Sequence, residues 1–182
     1  DYVDRTELVP IRYPHAGTFE IPRVIVNNHN QEGIRMLGNT PSDAVGINSN
    51  VAARLSGADF DGDTVMVIPT KRTNVKSTPP LKELEGFDPT LNYGPDEPPR
   101  LGADGKEHYY RGGHEYRIMN NTQTEMGIIS NLITDMTLKG ANEQEIARAV
   151  KHSMVVIDAE KHKLDYRQSY IDNNIEQLKE KY

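Results

Sequence analysis

The most informative part of the sequence is the segment Leu55-Ser-Gly-Ala-Asp-Phe-Asp-Gly-Asp-Thr-Val-Met-Val-Ile68. Its three acids, Asp59, Asp61 and Asp63, fall at every second position, so an extended backbone places all three carboxylates on one side. Gly62 lets the chain bend between the last two acids. The apolar run that closes the stretch predicts a buried strand. The sequence therefore predicts an acidic loop joined directly to a strand.

Three carboxylates this close together repel one another, and at least one would take up a proton unless a cation offsets the charge. A hard divalent cation that prefers oxygen ligands removes this penalty, and Mg²⁺ is the usual choice, with Mn²⁺ as a second candidate. The stretch therefore predicts a metal site formed by Asp59, Asp61 and Asp63. A solvated acidic turn is the simpler alternative, but the adjoining apolar run and Gly62 argue against it.

Three other acidic motifs fit this stretch less well. A calcium EF-hand loop has Gly at its sixth position and Glu at its twelfth, whereas counting from Asp59 puts Gly fourth and Thr70 twelfth. A phosphatase of the haloacid dehalogenase type has its two acids at the end of an apolar strand, whereas here the apolar strand follows the acids. A sugar-nucleotide glycosyltransferase uses a shorter Asp-x-Asp, and nothing around this stretch supports that assignment.

Upstream of the acidic stretch, short apolar segments alternate with turns. Short strands joined by many turns and ended by an apolar strand are typical of a small β-barrel. A polar loop is predicted at 27–33 and one helical turn at 51–55. The predicted strands cover residues 7–11, 19–21, 23–26 and 44–47.

Residues 71–118 differ in composition from both flanks, since they hold six of the eleven prolines and several glycines. Such a composition predicts a long connection. Within it, 105–110 and 114–118 are predicted to pair as a hairpin across Arg111-Gly-Gly113. His108, His114 and Glu115 are not predicted to bind a metal, because no further ligand stands at a zinc-like spacing.

Residues 119–182 carry helical patterns. Thr122 and Glu125 have the spacing of a capping box, and Asn142 is predicted to cap the next helix. A third helix is predicted over 167–181. The apolar positions of the three helices are Met126, Ile129, Ile133 and Met136; Ile146, Ala149, Val150 and Met154; and Ile171, Ile175 and Leu178. Strands followed by helices make the predicted fold class α+β.

Length and charge limit the functions that this chain can have. Its 182 residues suit one ordinary domain with a helical appendage, and because it opens on Asp1 we expect a piece of a longer protein. A net charge of −6 disfavours a free-standing nucleic-acid binder. The chain has no cysteine, membrane-length apolar run or visible signal peptide, so we expect a cytoplasmic protein without a membrane partner.

The acidic pentapeptide Asp59-Phe-Asp-Gly-Asp63, followed by an apolar strand, resembles the Asp-x-Asp-Gly-Asp signature of the two-barrel RNA polymerases. This superfamily includes the multi-subunit RNA polymerases, the RNA-dependent polymerases of gene silencing and single-chain phage enzymes. A second match is Arg12-Tyr-Pro-His15, because the family has an Arg, then a Pro two residues on, then a His, at about this distance upstream of the acids.

A third match lies in the helical region. The segment Met126–Asn131 with Asp135, and the segment His152–Lys161, are similar to helices that follow the acidic signature in polymerases of the gene-silencing type. The resemblance therefore spans Arg12 to Lys161, with 71–117 unmatched. Large cellular subunits usually have Asn where this chain has Gly57, and this departure favours the gene-silencing and phage enzymes over a standard cellular subunit.

The resemblance implies a fold and a division of the chain. The fold is a double-psi β-barrel with a C-terminal helical extension. Residues 1–70 form the catalytic barrel, residues 71–118 form the connection, with a hairpin that returns to the barrel, and residues 119–182 form helices packed beside it. These polymerases use two such barrels and this chain has room for one, so the resemblance also implies a second double-psi barrel domain or subunit as a partner.

The resemblance implies Mg²⁺-dependent nucleotidyl transfer from ribonucleoside triphosphates to an RNA 3′ end, by a two-metal mechanism, on a nucleic-acid template. DNA is favoured over RNA as that template. Asp59, Asp61 and Asp63 are the implied catalytic and metal-binding residues, Arg12 approaches a nucleotide sugar, and Lys161 reaches substrate or template. Without the second barrel the chain is expected to be inactive.

Two other functions stay open for the same three aspartates. A metal-dependent phosphohydrolase or nuclease predicts an ordered general base near them, and the motif contains none. A non-catalytic barrel that serves as an assembly module predicts that at least one of the three carboxylates points away from a common centre.

Overall fold

A computed structural model describes residues 2–13, 15–55, 58 and 62–182. Contacts divide the chain into two compact units, Asp1–Pro80 and Leu81–Tyr182. The described residues form both helices and strands, which confirms that the fold mixes α and β structure. Residues 71–80 thus belong to the first unit, and 81–118 belong to the same unit as the C-terminal helices.

The first unit contains a three-stranded antiparallel sheet. Its strands are β1 (Glu7–Arg12), β2 (Val24–Ile25) and β3 (Val65–Pro69), in the order β2-β1-β3. In the register between β1 and β3, Arg12 lies opposite Val65. The described strands of this unit form this one sheet, and its closure into a double-psi barrel stays a prediction.

The predicted strand after the acids is present as β3, but its predicted burial is wrong. Leu8 and Val9 on β1 are 6% and 0% exposed, whereas Met66 on β3 is 64% exposed. Val65, Val67 and Ile68 are half-buried. A continuous apolar run predicts a strand covered on both faces, but β3 lies at the edge of the described sheet, where one neighbouring strand covers less of it.

Two helices of the first unit were not placed correctly by the sequence pattern. Helix α1 (Gln31–Leu37) begins inside the predicted polar loop, because Asn30 caps it by accepting a hydrogen bond from the backbone N–H of Gly33 at 2.7 Å. Helix α2 (Ser49–Ala52) is the predicted single turn, and it begins before the predicted start at Val51.

Two predicted strands of the first unit are wrong. Residues 19–21 fall largely in a 3-10 turn, Thr18–Glu20, because Gly17 and Pro22 flank a segment too short to pair. Residues 44–47 are not in a strand. Alternating small and apolar residues there imitate the strand period without a partner strand.

The second unit contains a three-stranded antiparallel sheet, β4 (Arg100–Leu101), β5 (Glu107–Arg111) and β6 (His114–Tyr116), in chain order. The predicted hairpin is confirmed, since Arg111 pairs with His114 across two glycines with φ of 56° and 76°. Its return to a barrel stays a prediction.

The helices of the second unit surround a core of apolar side chains. Five of the predicted apolar positions are buried: Ile129, Ile133 and Met136 on one helix, and Ala149 and Val150 on the next. The helices are α3 (Pro89–Tyr93), α4 (Thr122–Leu138), α5 (Glu143–His162), α6 (Tyr166–Asp172) and α7 (Ile175–Lys181). Leu81 and Tyr93, from the predicted connection, are also buried.

The helix ends in the structure differ from the predicted ones in two places. Asn121, not Thr122, is the N-cap residue of α4. The predicted third helix is two helices, because Asn174 adopts a left-handed backbone conformation with φ of 50°, which Asn tolerates. This break takes Ile171 out of the apolar stripe, and it is 63% exposed.

None of the helices in the described part of the chain is long and apolar enough to cross a membrane.

Candidate functional site

Two strands bring together residues from separate sequence motifs. Arg12 is the last residue of β1, and it lies opposite Val65 at the start of β3. Asp63 precedes Val65 by two residues, so it continues along the same face, diagonally opposite Arg12. The register of the sheet therefore sets this contact, which joins residues 51 positions apart.

The contact is an ion pair with the length of a charge-assisted hydrogen bond. Nη2 of Arg12 donates to Oδ1 of Asp63 at 2.7 Å. The two side chains are 21% and 22% exposed. At this burial, solvent and salt screen the pair less than they screen a surface ion pair.

The remaining two acids of the predicted metal site, Asp59 and Asp61, lie outside the described residues. Whether the three carboxylates converge therefore stays a prediction. Among the described residues, which include Asp63 but neither Asp59 nor Asp61, no three His, Cys, Asp or Glu side chains are placed to hold a metal. The chemistry of the donor set fits Mg²⁺, since all three side chains offer hard anionic oxygens.

Gly62 has the backbone conformation that the predicted bend requires. Its φ is +107°, in a region that residues with a side chain rarely adopt. A Cβ atom at Gly62 would meet none of the described residues within 4 Å, and the positive φ by itself favours glycine here. The bend directly precedes Asp63 and turns the chain into β3.

Arg54 fixes the other flank of the acidic loop. Its Nη2 donates to the carbonyl oxygens of Phe19, at 3.2 Å, and Thr78, at 2.8 Å. The neighbouring Leu55 is 3% exposed. The segment that precedes the acidic stretch is thus held by a buried side chain and two backbone contacts. Sequence patterns gave no signal for this role of Arg54, because its partners are backbone atoms distant in sequence.

The turn after Arg12 is braced by two contacts. The rings of Tyr13 and His15 meet edge to face with centroids 6.3 Å apart. Glu20 is 5% exposed and accepts a hydrogen bond from the backbone N–H of Ala16 at 2.8 Å. Glu20 is a second residue that the sequence reasoning missed; the signal was a carboxylate between the apolar residues Phe19 and Ile21.

Lys161 lies in the last turn of α5, in the second unit, and its side chain is exposed. Its predicted reach toward substrate or template stays a prediction.

His108 is held in a cluster of two ion pairs. Its Nδ1 lies 2.5 Å from a Glu115 carboxylate oxygen, and its Nε2 lies 3.0 Å from one of Asp104. These two hydrogen bonds raise the pKa of His108 from its usual 6.5, and the bond to Glu115 has the larger effect. Both ring nitrogens are engaged, so the cluster braces the hairpin.

Comparisons of the chain with protein-family models, with curated proteins and with solved structures found no match.

Proposed function

We propose that this chain is the catalytic-aspartate domain of a two-barrel RNA polymerase, with a double-psi β-barrel and a C-terminal helical extension. In the proposed reaction, the 3′-hydroxyl of an RNA attacks the α-phosphate of a ribonucleoside triphosphate and pyrophosphate leaves. A nucleic-acid template directs the transfer, with DNA favoured over RNA. A second double-psi barrel, as a domain or subunit, completes the enzyme.

One observation carries the proposal. The ion pair of 2.7 Å between Arg12 and Asp63 joins two motifs that were recognised separately and stand 51 positions apart. The antiparallel pairing of β1 and β3 places both motifs at one end of the sheet. The contact supports a single site built from the acidic loop and the end of β1.

The arrangement of the strands favours this function over the phosphatase. All four strand pairings among the described residues are antiparallel. Asp63 precedes β3, and β3 pairs antiparallel with β1. A phosphatase of the haloacid dehalogenase type requires a parallel sheet with the acids at its carboxyl edge.

In the proposed mechanism, Asp59, Asp61 and Asp63 hold Mg²⁺, or Mn²⁺ in its place. When bound, the two metal ions supply the Lewis acidity that activates the attacking hydroxyl and stabilises the leaving pyrophosphate. Arg12 donates hydrogen bonds to ribose hydroxyls and offsets phosphate charge. Positioning and charge suffice for phosphoryl transfer, so the protein needs no nucleophile of its own.

The acidic net charge of −6 explains why the second barrel is part of the proposal. A triphosphate and a template need basic walls, and this chain is unlike the basic domains that bind nucleic acid alone. The partner would supply those residues, while Lys161 is the candidate contact from this chain.

The proposal is tested in the complete enzyme with the substitution Asp61→Asn. We expect loss of primer extension from labelled ribonucleoside triphosphates, because a neutral amide replaces one of three anionic metal ligands. Asp43→Asn is the matched control, since Asp43 is exposed and outside the acidic loop, and it should leave extension unchanged. Extension that survives Asp61→Asn would show that the site is assigned wrongly.

A further inference from the structure

The two residues that meet in the structure have separate tasks in the proposed function. Asp63 would give an oxygen to the metal, and Arg12 would donate to the sugar of a nucleotide. Instead, Nη2 of Arg12 donates to Oδ1 of Asp63 at 2.7 Å. A guanidinium and a divalent cation that share one carboxylate repel each other. The two cations therefore compete for the carboxylate of Asp63.

The ion pair is less exposed to solvent than a comparable pair in the same unit. Arg23 and Glu7 are also 2.7 Å apart, but their side chains are 44% and 38% exposed. Arg12 and Asp63 are 21% and 22% exposed. Solvent and salt therefore screen the Arg12 pair less than the Arg23 pair, which serves as a matched control.

Without metal, the acidic loop needs a positive charge from another source. Three carboxylates at alternate positions repel one another, and a cation beside one of them lowers that repulsion. Arg12 supplies such a charge, because its guanidinium lies against Asp63 at the end of a strand whose Val9 is 0% exposed. The positive charge thus comes from the end of β1, a strand with a buried side chain.

We propose that Arg12 is a built-in counter-cation of this site, which a divalent cation must displace from Asp63. Metal binding and the release of Arg12 are then one event, and release frees the guanidinium for the sugar and phosphates of a nucleoside triphosphate. The metal therefore binds before the nucleotide engages Arg12. This inference rests on the proposed function and describes the regulation of the same site.

The test is the affinity of the 182-residue chain for Mn²⁺, followed by the paramagnetic resonance signal of the free ion at low salt. Arg12→Gln removes the competing cation, so we expect Mn²⁺ to bind roughly tenfold tighter, within the usual range of coupling between two ligands. The control Arg23→Gln should bind as the wild type does. Equal or weaker binding by Arg12→Gln would overturn the proposal, since a residue that merely braces or orients Asp63 gives that result.

A third variant separates this inference from the proposed function. If Asp63→Asn lowers Mn²⁺ affinity but Arg12→Gln does not raise it, the metal site stands and the counter-cation is wrong. If Asp63→Asn binds Mn²⁺ as well as the wild type, or if no form of the chain binds it, both proposals fail. In the Asp63→Asn background, Arg12→Gln should give no further gain.

A second measurement on the wild-type chain avoids any folding defect of Arg12→Gln. The Nε–H resonance of Arg12, assigned by its loss in Arg12→Lys, should shift on saturation with Mg²⁺ as the guanidinium leaves Asp63. The Arg23 resonance should not move. An Arg12 resonance that stays in place with the metal bound would overturn the proposal.

Discussion

Asp61 is the middle acid of the triplet, with Asp59 and Asp63 two positions to either side. Replacing it by Asn removes a charge that both neighbours repel, so we expect the metal-free chain to be at least as stable as the wild type near neutral pH. Adding Mg²⁺ should stabilise the wild type more than the variant. Thermal unfolding with and without Mg²⁺ measures both effects.

If Asp61 had a structural role, Asp61→Asn would lower the stability of the metal-free chain. If its carboxylate belonged to a buried polar network, Asp61→Asn would destabilise the metal-free chain by several kcal/mol. That result would contradict the metal site even if primer extension were also lost, since an unfolded domain loses activity for any reason.

His152 is a buried titratable residue that the sequence pattern did not identify. It lies on α5 and is 3% exposed, and its Nδ1 is 3.0 Å from Oγ of Ser169 on α6. Burial lowers the pKa of His152 from 6.5 to about 4. The folded state therefore keeps the imidazole neutral, and the unfolded chain takes up a proton first as the pH falls.

The sign of this shift predicts acid sensitivity. The stability that depends on neutral His152 is complete above pH 6.5 and is lost as the pH falls toward 4. We expect the chain to be roughly 2 kcal/mol less stable at pH 5 than at pH 7 from this residue alone. Urea unfolding at the two pH values measures the difference.

The matched variants are His152→Gln and His162→Gln. The first should flatten the pH dependence between 7 and 5, because the titrating group is gone. The second changes an exposed histidine of the same helix and should keep the wild-type dependence. An unchanged dependence in His152→Gln would assign the acid sensitivity to other groups.

The contact between Arg12 and Asp63 could not be derived from residue spacing. It requires the register in which Arg12 lies opposite Val65, and that register is set by the whole β1 and β3 pairing. The resemblance to polymerases placed both residues in one site, but it did not predict that they bind each other. Glu20 and Arg54 were missed because both bind backbone atoms, which leave no pattern in the sequence.

At the scale of the elements, the start of α5 is the best-defined helix cap. Oδ1 of Asn142 accepts from the backbone N–H of Glu145 at 2.9 Å, and the Glu145 side chain accepts from Asn142 in return. Glu145 also accepts hydrogen bonds from Lys181, at 2.5 Å, and Tyr182, at 2.6 Å. This cap therefore ties α5 to the C-terminal end of α7.

The N-cap residues that the structure shows for α4 and α5 predict that two similar substitutions lower the free energy of unfolding by different amounts. Asn142→Ala should cost about 1 kcal/mol, the usual value for a lost N-cap. Thr122→Ala should cost less, about 0.5 kcal/mol or under, because Thr122 is not the cap of α4 and donates only to Glu160, at 2.9 Å. Urea unfolding measures the loss of stability in each variant. A larger loss for Thr122→Ala than for Asn142→Ala would support the capping box that the sequence predicted at Thr122.

Elements with a strong local signal were predictable and elements that depend on partners were not. Helices α4 and α5 follow long apolar periods, and the β5–β6 hairpin follows its two glycines. The predicted strand at 44–47 has the right alternation but no partner strand. The single third helix was wrong because one left-handed residue, Asn174, divides it.

At the scale of the whole molecule, the sequence predicted a mixture of strands and helices correctly, but it placed the boundaries by composition. Prolines and glycines marked 71–118 as one connection. By its contacts the chain divides between residues 80 and 81, and the buried side chains of Leu81 and Tyr93 lie in the same unit as the C-terminal helices. A few anchoring residues outweigh the average composition of a long segment.

Because Met66 is exposed, mild oxidation can measure how accessible β3 is to solvent. Met66 is 64% exposed, whereas Met119 and Met136 in the second unit are 2% and 0% exposed. Peroxide converts accessible thioethers to sulfoxides first, so in the isolated chain we expect Met66 to gain oxygen well before the two buried methionines, as peptide mass spectrometry would record. Equal rates for the three would contradict their described burial. If the proposed second barrel covers β3, Met66 should form sulfoxide more slowly in the complete protein than in the isolated chain.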